Sequence, residues 1–100
     1  MRINHVALYV TDLEAEKAFF EHYFDGKAGE RYINPHTLFS SYMVRFDGDT
    51  TLEIMTRPET VREYGYAFPT GYVHIAFSLG SREAVDALTE RIQNDGYIVA

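Results

Sequence analysis

Apolar and polar positions change period several times along this chain. Ile3 to Val10 alternates, with Val6, Leu8 and Val10 on one side and His5, Ala7 and Tyr9 on the other, which predicts a strand whose aliphatic face wants a helix. Thr11-Asp12-Leu13-Glu14 then fits a capping box, so Thr11 or Asp12 opens a helix. Leu13, Phe20 and Phe24, flanked by Ala18, Phe19 and Tyr23, form its apolar stripe, and Gly26 after Asp25 ends it. Ala28 to Ile33 reads as a short strand and Asn34-Pro35 as a turn. From Phe39 to Phe46 the alternation returns, and Asp47-Gly48-Asp49 turns the chain into a hairpin partner at Thr51 to Thr56. The pattern is therefore strand, helix and three strands.

The order then begins again. His74-Ile75-Ala76-Phe77-Ser78-Leu79 matches His5-Val6-Ala7-Leu8-Tyr9-Val10 type for type, and each copy precedes a helix N-cap candidate, Asp12 in one and Ser81 in the other. Tyr72 to Leu79 predicts a strand, and Arg82 to about Asn94 a helix with the stripe Val85, Leu88 and Ile92. Gly96 stops that helix, and Tyr97 to Val99 starts another strand. Pro58, Gly65 and Pro69 mark a linker, whose Tyr64 and Tyr66 read more readily as packing on a sheet edge than as a cover for a cavity mouth. The expectation is one α+β domain over residues 1–100: module one at 1–57, linker at 58–70 and a partial module two at 71–100. The two histidines, at positions 5 and 74, are 69 residues apart, so a full second copy would run roughly 25 residues past Ala100. The chain is thus expected to be part of a longer protein in preference to a degenerate short one.

Composition narrows the function. The 100 residues are 46% hydrophobic and 15% aromatic, enough for a core. A formal net charge of −6 and scattered basic residues argue against nucleic acid or an anionic membrane as partner. There is no cysteine and no apolar run of bilayer length, so a soluble cytoplasmic protein is the default expectation, and any metal chemistry has to use His, Asp and Glu.

That chemistry has candidates. A lone strand histidine is usually a structural residue, but here equivalent places in two repeats each carry one, and imidazole is a frequent ligand for divalent transition metals. Glu53 lies on the opposite face of its strand to Leu52 and Ile54, an acid among apolar residues, explained either by coordination or by a wet edge. By strand parity Tyr9, Tyr42, Arg45, Met55 and Ser78 line the same cavity, with Arg45 the cation for an anionic substrate. His22 and His36 read as solvated surface.

The paired modules, the opening Asn-His-Val-Ala-Leu-Tyr-Val-Thr-Asp-Leu, the strand Leu-Glu-Ile-Met and the later Val-His-Ile-Ala-Phe-Ser-Leu-Gly-Ser together resemble the vicinal oxygen chelate superfamily, closest to its glyoxalase and bleomycin-resistance group. The resemblance implies two βαβββ modules forming a curved, cup-shaped mixed sheet, the second incomplete here. It implies a divalent metal (Zn, Ni, Mn or Fe) held by His5, Glu53 and His74, with Glu53 also a candidate proton carrier. The family's fourth ligand and usual base, a later glutamate, has no counterpart in the chain. It implies a glyoxalase-like lyase or isomerase that chelates two neighbouring oxygens of a small substrate, a thioacetal or an α-hydroxycarbonyl compound. Tyr9 stands where glutathione-using relatives carry an arginine, which turns the resemblance away from glutathione thioacetals. A metal-free drug-binding protein and an extradiol-type dioxygenase are the alternatives within the same resemblance. A homodimer is expected, because a complete site needs two facing modules within one chain or between two.

Overall fold

The computed structural model describes residues 2–60 and 74–99. It divides into two units, Met1–Tyr64 and Gly65–Ala100, and is mixed α+β. Unit one contains β1 (Val6–Tyr9), α1 (Leu13–Phe24), β2 (Lys27–Ala28), β3 (Tyr32–Ile33), β4 (Ser40–Arg45) and β5 (Thr51–Thr56). Its open sheet runs β1-β5-β4-β2, with β3 also on β4; β1 is parallel to β5 and the other pairs are antiparallel.

The β4–β5 hairpin is the backbone of this unit. Gly48, at φ 68°, supplies the left-handed residue of its turn, and Phe46 N–H donates to Thr50 C=O at 2.9 Å. The register is unbroken from Ser40 opposite Thr56 to Arg45 opposite Thr51, so alternation along both strands is strict. Tyr42, Val44, Leu52 and Ile54 share one side and are all buried. Against them α1 places Leu13, Phe20 and Tyr23. The expected stripe is thus right for Leu13 and Phe20, while Tyr23, three residues beyond Phe20, is buried more deeply than Phe24.

The ends of α1 sharpen two expectations. Asp12, not Thr11, is the N-cap, its Oδ1 accepting from Ala15 N–H at 3.0 Å. Glu14 does not complete a capping box: its Oε1 accepts the Tyr42 hydroxyl hydrogen bond at 2.8 Å, and its Oε2 lies 3.8 Å from Arg31 Nη1. At the other end Asp25 takes the left-handed conformation, at φ 54°. Gly26 serves a different need, because a Cβ there would stand 2.7 Å from Val44 Cγ1.

Two strand expectations change. Ile3 to Val10 shortens to Val6–Tyr9, the residues opposite Leu52 to Met55, with Val10 N–H adding a bond to Met55 C=O at 2.8 Å. Ala28 to Ile33 splits into β2 and β3. From Ala28, opposite Val44, to Tyr32, opposite Ser41, the chain takes four steps while β4 takes three, which is a one-residue bulge.

Unit two holds α2 (Arg82–Asn94). Ser81 caps it as expected, accepting from Ala84 N–H at 3.1 Å, and Gly96 turns away at φ 95°, as Gly80 before the helix does at φ 91°. The expected flanking strands do not form: residues 74–79 and 97–99 belong to no ladder, and 72–73 lie outside the described residues. No strand is present among the described residues of this unit to pair with them. For the same reason Val85, Leu88 and Ile92 find no sheet within the unit, and α2 buries no residue. Of the expected linker, residues 58–60 make a turn and 61–70, with Tyr64 and Tyr66, lie outside the described residues. No helix among the described residues is long and apolar enough to cross a membrane.

Candidate metal centre

The side of the β1–β5–β4 sheet away from α1 carries the candidate chemistry. On β5 this side presents Glu53 and Met55, since Leu52 and Ile54, 3% and 0% exposed, point into the core. Parallel pairing puts Ala7 beside Glu53 and Tyr9 beside Met55. His5, two residues before Ala7, reaches the same side: its Nε2 stands 3.6 Å from Glu53 Oε1, with side chains 35% and 22% exposed. Glu53 is therefore neither a fully wet edge residue nor a buried unpaired charge.

Asn4 orients the ring. Nδ1 is 2.8 Å from Asn4 Oδ1, and an amide oxygen only accepts, so Nδ1 carries a proton and Nε2 is the nitrogen turned to the carboxylate. A deprotonated Nε2 beside a carboxylate attracts a cation between them. Donors bound tetrahedrally at about 2.0 to 2.1 Å stand about 3.4 Å apart, close to the separation of this pair. An outer hydrogen bond that fixes the tautomer of a metal-binding histidine is what Asn4 supplies. The donor set, one neutral imidazole and one carboxylate, suits a divalent transition metal but provides two ligands. Among the described residues no group of three or more His, Cys, Asp or Glu gathers.

The other expected site residues divide. Arg45 lies on the Glu53 side of β4, exposed, with Met43 opposite Glu53 and Ser41 opposite Met55. Tyr9 is 50% exposed on the same side. Tyr42 is a correction: its even position puts it among the core residues under α1, 6% exposed. There Lys17 Nζ sits 5.0 Å over its ring. The Glu14 carboxylate that accepts its hydroxyl bond, with burial adding to the effect, pushes its phenol above the ordinary range. Tyr42 therefore orders the α1–sheet interface and does not line the open side. His74 and Ser78 belong to unit two, where both are exposed. His22 stacks edge-on with Tyr23 at 4.6 Å, and His36 N–H donates to Asn34 Oδ1 in a turn, so both lie away from the His5–Glu53 pair. Asn4 escaped the sequence reading because parity sends neighbours on a strand to opposite sides, whereas Asn4 and His5 both precede the β1 ladder.

Comparison with known proteins adds a family and a set of folds. The sequence model of the Glyoxalase/Bleomycin resistance protein/Dioxygenase superfamily matches residues 2–100. No curated protein sequence matches the chain. Among solved structures, a variant of the fosfomycin resistance protein FosX from Listeria monocytogenes, complexed with Mn(II) and 1S,2S-dihydroxypropylphosphonic acid, is 25% identical with a TM-score of 0.76. That match covers 99% of this chain and 72% of the other. A possible glyoxalase from Bacillus cereus is 26% identical with a TM-score of 0.73, covering 100% of this chain and 79% of the other. A glyoxylase/bleomycin resistance protein/dioxygenase domain from Frankia sp. EAN1pec has a TM-score of 0.80 at 22% identity, covering 100% and 77%, a likeness of fold alone.

Proposed function

Since the chain belongs to the Glyoxalase/Bleomycin resistance protein/Dioxygenase superfamily, we propose that it is a metal-dependent lyase or isomerase of the glyoxalase type acting on a small, oxygen-rich substrate. The observation that carries the reading is the His5 Nε2 to Glu53 Oε1 approach of 3.6 Å on the open side of the sheet. His5 and Glu53 are two ligands, and His74, from the same chain or from a second copy in a homodimer, is the third. A divalent metal held there would polarise two neighbouring substrate oxygens and stabilise negative charge developing on them. The residues of this chain do the rest. Asn4 holds the His5 ring in one tautomer and orientation. Glu53 has a second carboxylate oxygen free to take up and return a substrate proton. Tyr9 and Met55 wall the substrate on one flank, and Arg45 meets its negative charge.

Mn²⁺ is the first metal to try, because it is the ion named with the Listeria FosX structure. The test is elemental analysis of protein purified without chelator, repeated after exposure to Zn²⁺, Ni²⁺ and Mn²⁺. Close to one tightly held ion per His-Glu-His set is expected, falling at least tenfold in affinity in His5→Ala and Glu53→Gln. Protein that stays free of all three metals rejects the enzyme reading in favour of metal-free ligand binding.

A further inference from the structure

Beyond the metal pair, β5 leads to a second feature on the same side. Arg57 follows the strand directly, and the alternation of Glu53 and Met55 carries on to it. Its backbone is clamped on both sides: Arg57 N–H donates to Thr60 Oγ1 at 3.0 Å, and Thr60 N–H donates back to Arg57 C=O at 2.9 Å. Pro58 occupies the second position of this turn, where its fixed φ favours the bend. The arginine is thus mounted on a rigid base at the exit of the central strand.

Its side chain has unused capacity. Nε is shielded from solvent and has no hydrogen-bond partner among the described residues. Among the described residues Glu59 pairs with it, Oε2 lying 3.4 Å away but off the line of the N–H, and that side chain is itself 73% exposed. A shielded donor left unpaired is unfavourable, more so when the group is charged. The side chain as a whole is 40% exposed, so a ligand can approach it from solvent. A planar fork in this state is suited to bidentate contact with an oxyanion.

The spacing says what that oxyanion would be attached to. Four steps of extended chain separate Glu53 from Arg57, roughly 13 Å between Cα atoms. The row between them is Tyr9, Met55 and Ser41, fixed side by side by the register. The Met55 thioether and the Tyr9 ring, with Ser41 beside them, therefore lie between a chelating end and a cationic end. We infer that Arg57 forms the anion subsite of this face, taking the carboxylate or phosphonate end of a small organic anion whose body rests on Met55 and Tyr9. The inference rests on the proposed metal site only for where the other end of that molecule lies.

Propylphosphonate is the probe, titrated by calorimetry into the full chain with and without Mn²⁺, beside inorganic phosphate and neutral 1-propanol. Saturable binding of propylphosphonate, tighter than phosphate and absent for propanol, is expected for the unaltered protein. Arg57→Ala should weaken it at least tenfold, Arg57→Lys should restore part of the loss, and both should leave Mn²⁺ uptake and the far-ultraviolet circular dichroism unchanged. Equal affinity in Arg57→Ala, or no saturable binding by the unaltered protein, overturns the inference. Binding that depends on Arg57 in a protein that takes up no Mn²⁺ keeps the subsite and removes the metal reading, so the two fail separately.

Discussion

The two units start from nearly the same words and end in different states. Each has a histidine, an aliphatic and alanine alternation, an N-capped helix and a glycine after it. In unit one the helix buries Leu13, Phe20 and Tyr23 against β4 and β5, whereas in unit two α2 buries nothing and Val85 is 46% exposed. The difference is the hairpin. A cap bonds residues three apart and acts wherever it occurs, so Asp12 and Ser81 work equally. A strand needs a neighbour, and β1 becomes one because β5 lies beside it. Its counterpart at residues 74–79 has the same alternation and no ladder.

The sharpest way to break this comparison is to remove core from each helix interface. Ile54→Ala, at a site with no exposure, should destabilise unit one by about 2 to 5 kcal/mol, read from urea unfolding. Val85→Ala in α2 should change stability by no more than about 0.5 kcal/mol. A comparable loss at Val85 would mean that α2 has a packed face after all.

Smaller effects should come from the caps, where the units are alike. Asp12→Ala and Ser81→Ala should each weaken their helix by about 1 kcal/mol. Hydrogen exchange should show that loss as faster exchange across the whole of α2 but only in the first turn of α1, which its packing holds. Uniform acceleration across α1 would show that its cap, not its contact with Val44 and Ile54, keeps it formed.

What could be read from residues alone follows the same division. Strict alternation on β4 and β5, with no bulge between them, is why parity placed His5 and Glu53 on one side and Arg45 and Met55 with them. The same rule applied consistently would have sent Tyr42 to the core, since Tyr42 and Arg45 differ by an odd number of positions. The bulge between β2 and β3 left no mark in composition, because it depends on how Gly29 to Arg31 span β4. Asn4 and Arg57 were invisible for a related reason. Each stands just outside a ladder, Asn4 marked only by its side-chain bond to His5 and Arg57 only by the turn it opens.

The central claim is that His5 binds a metal through Nε2 with Glu53 beside it. Pulsed electron paramagnetic resonance of the Mn²⁺-loaded protein addresses that bond directly, through the nuclear modulation of a coordinated imidazole nitrogen. The account predicts that this modulation is present, shifts in ¹⁵N-histidine protein, and loses one nitrogen in His5→Ala while circular dichroism is unchanged. Mn²⁺ bound with the same nitrogen modulation in His5→Ala, or with water ligands alone in the unaltered protein, would contradict it.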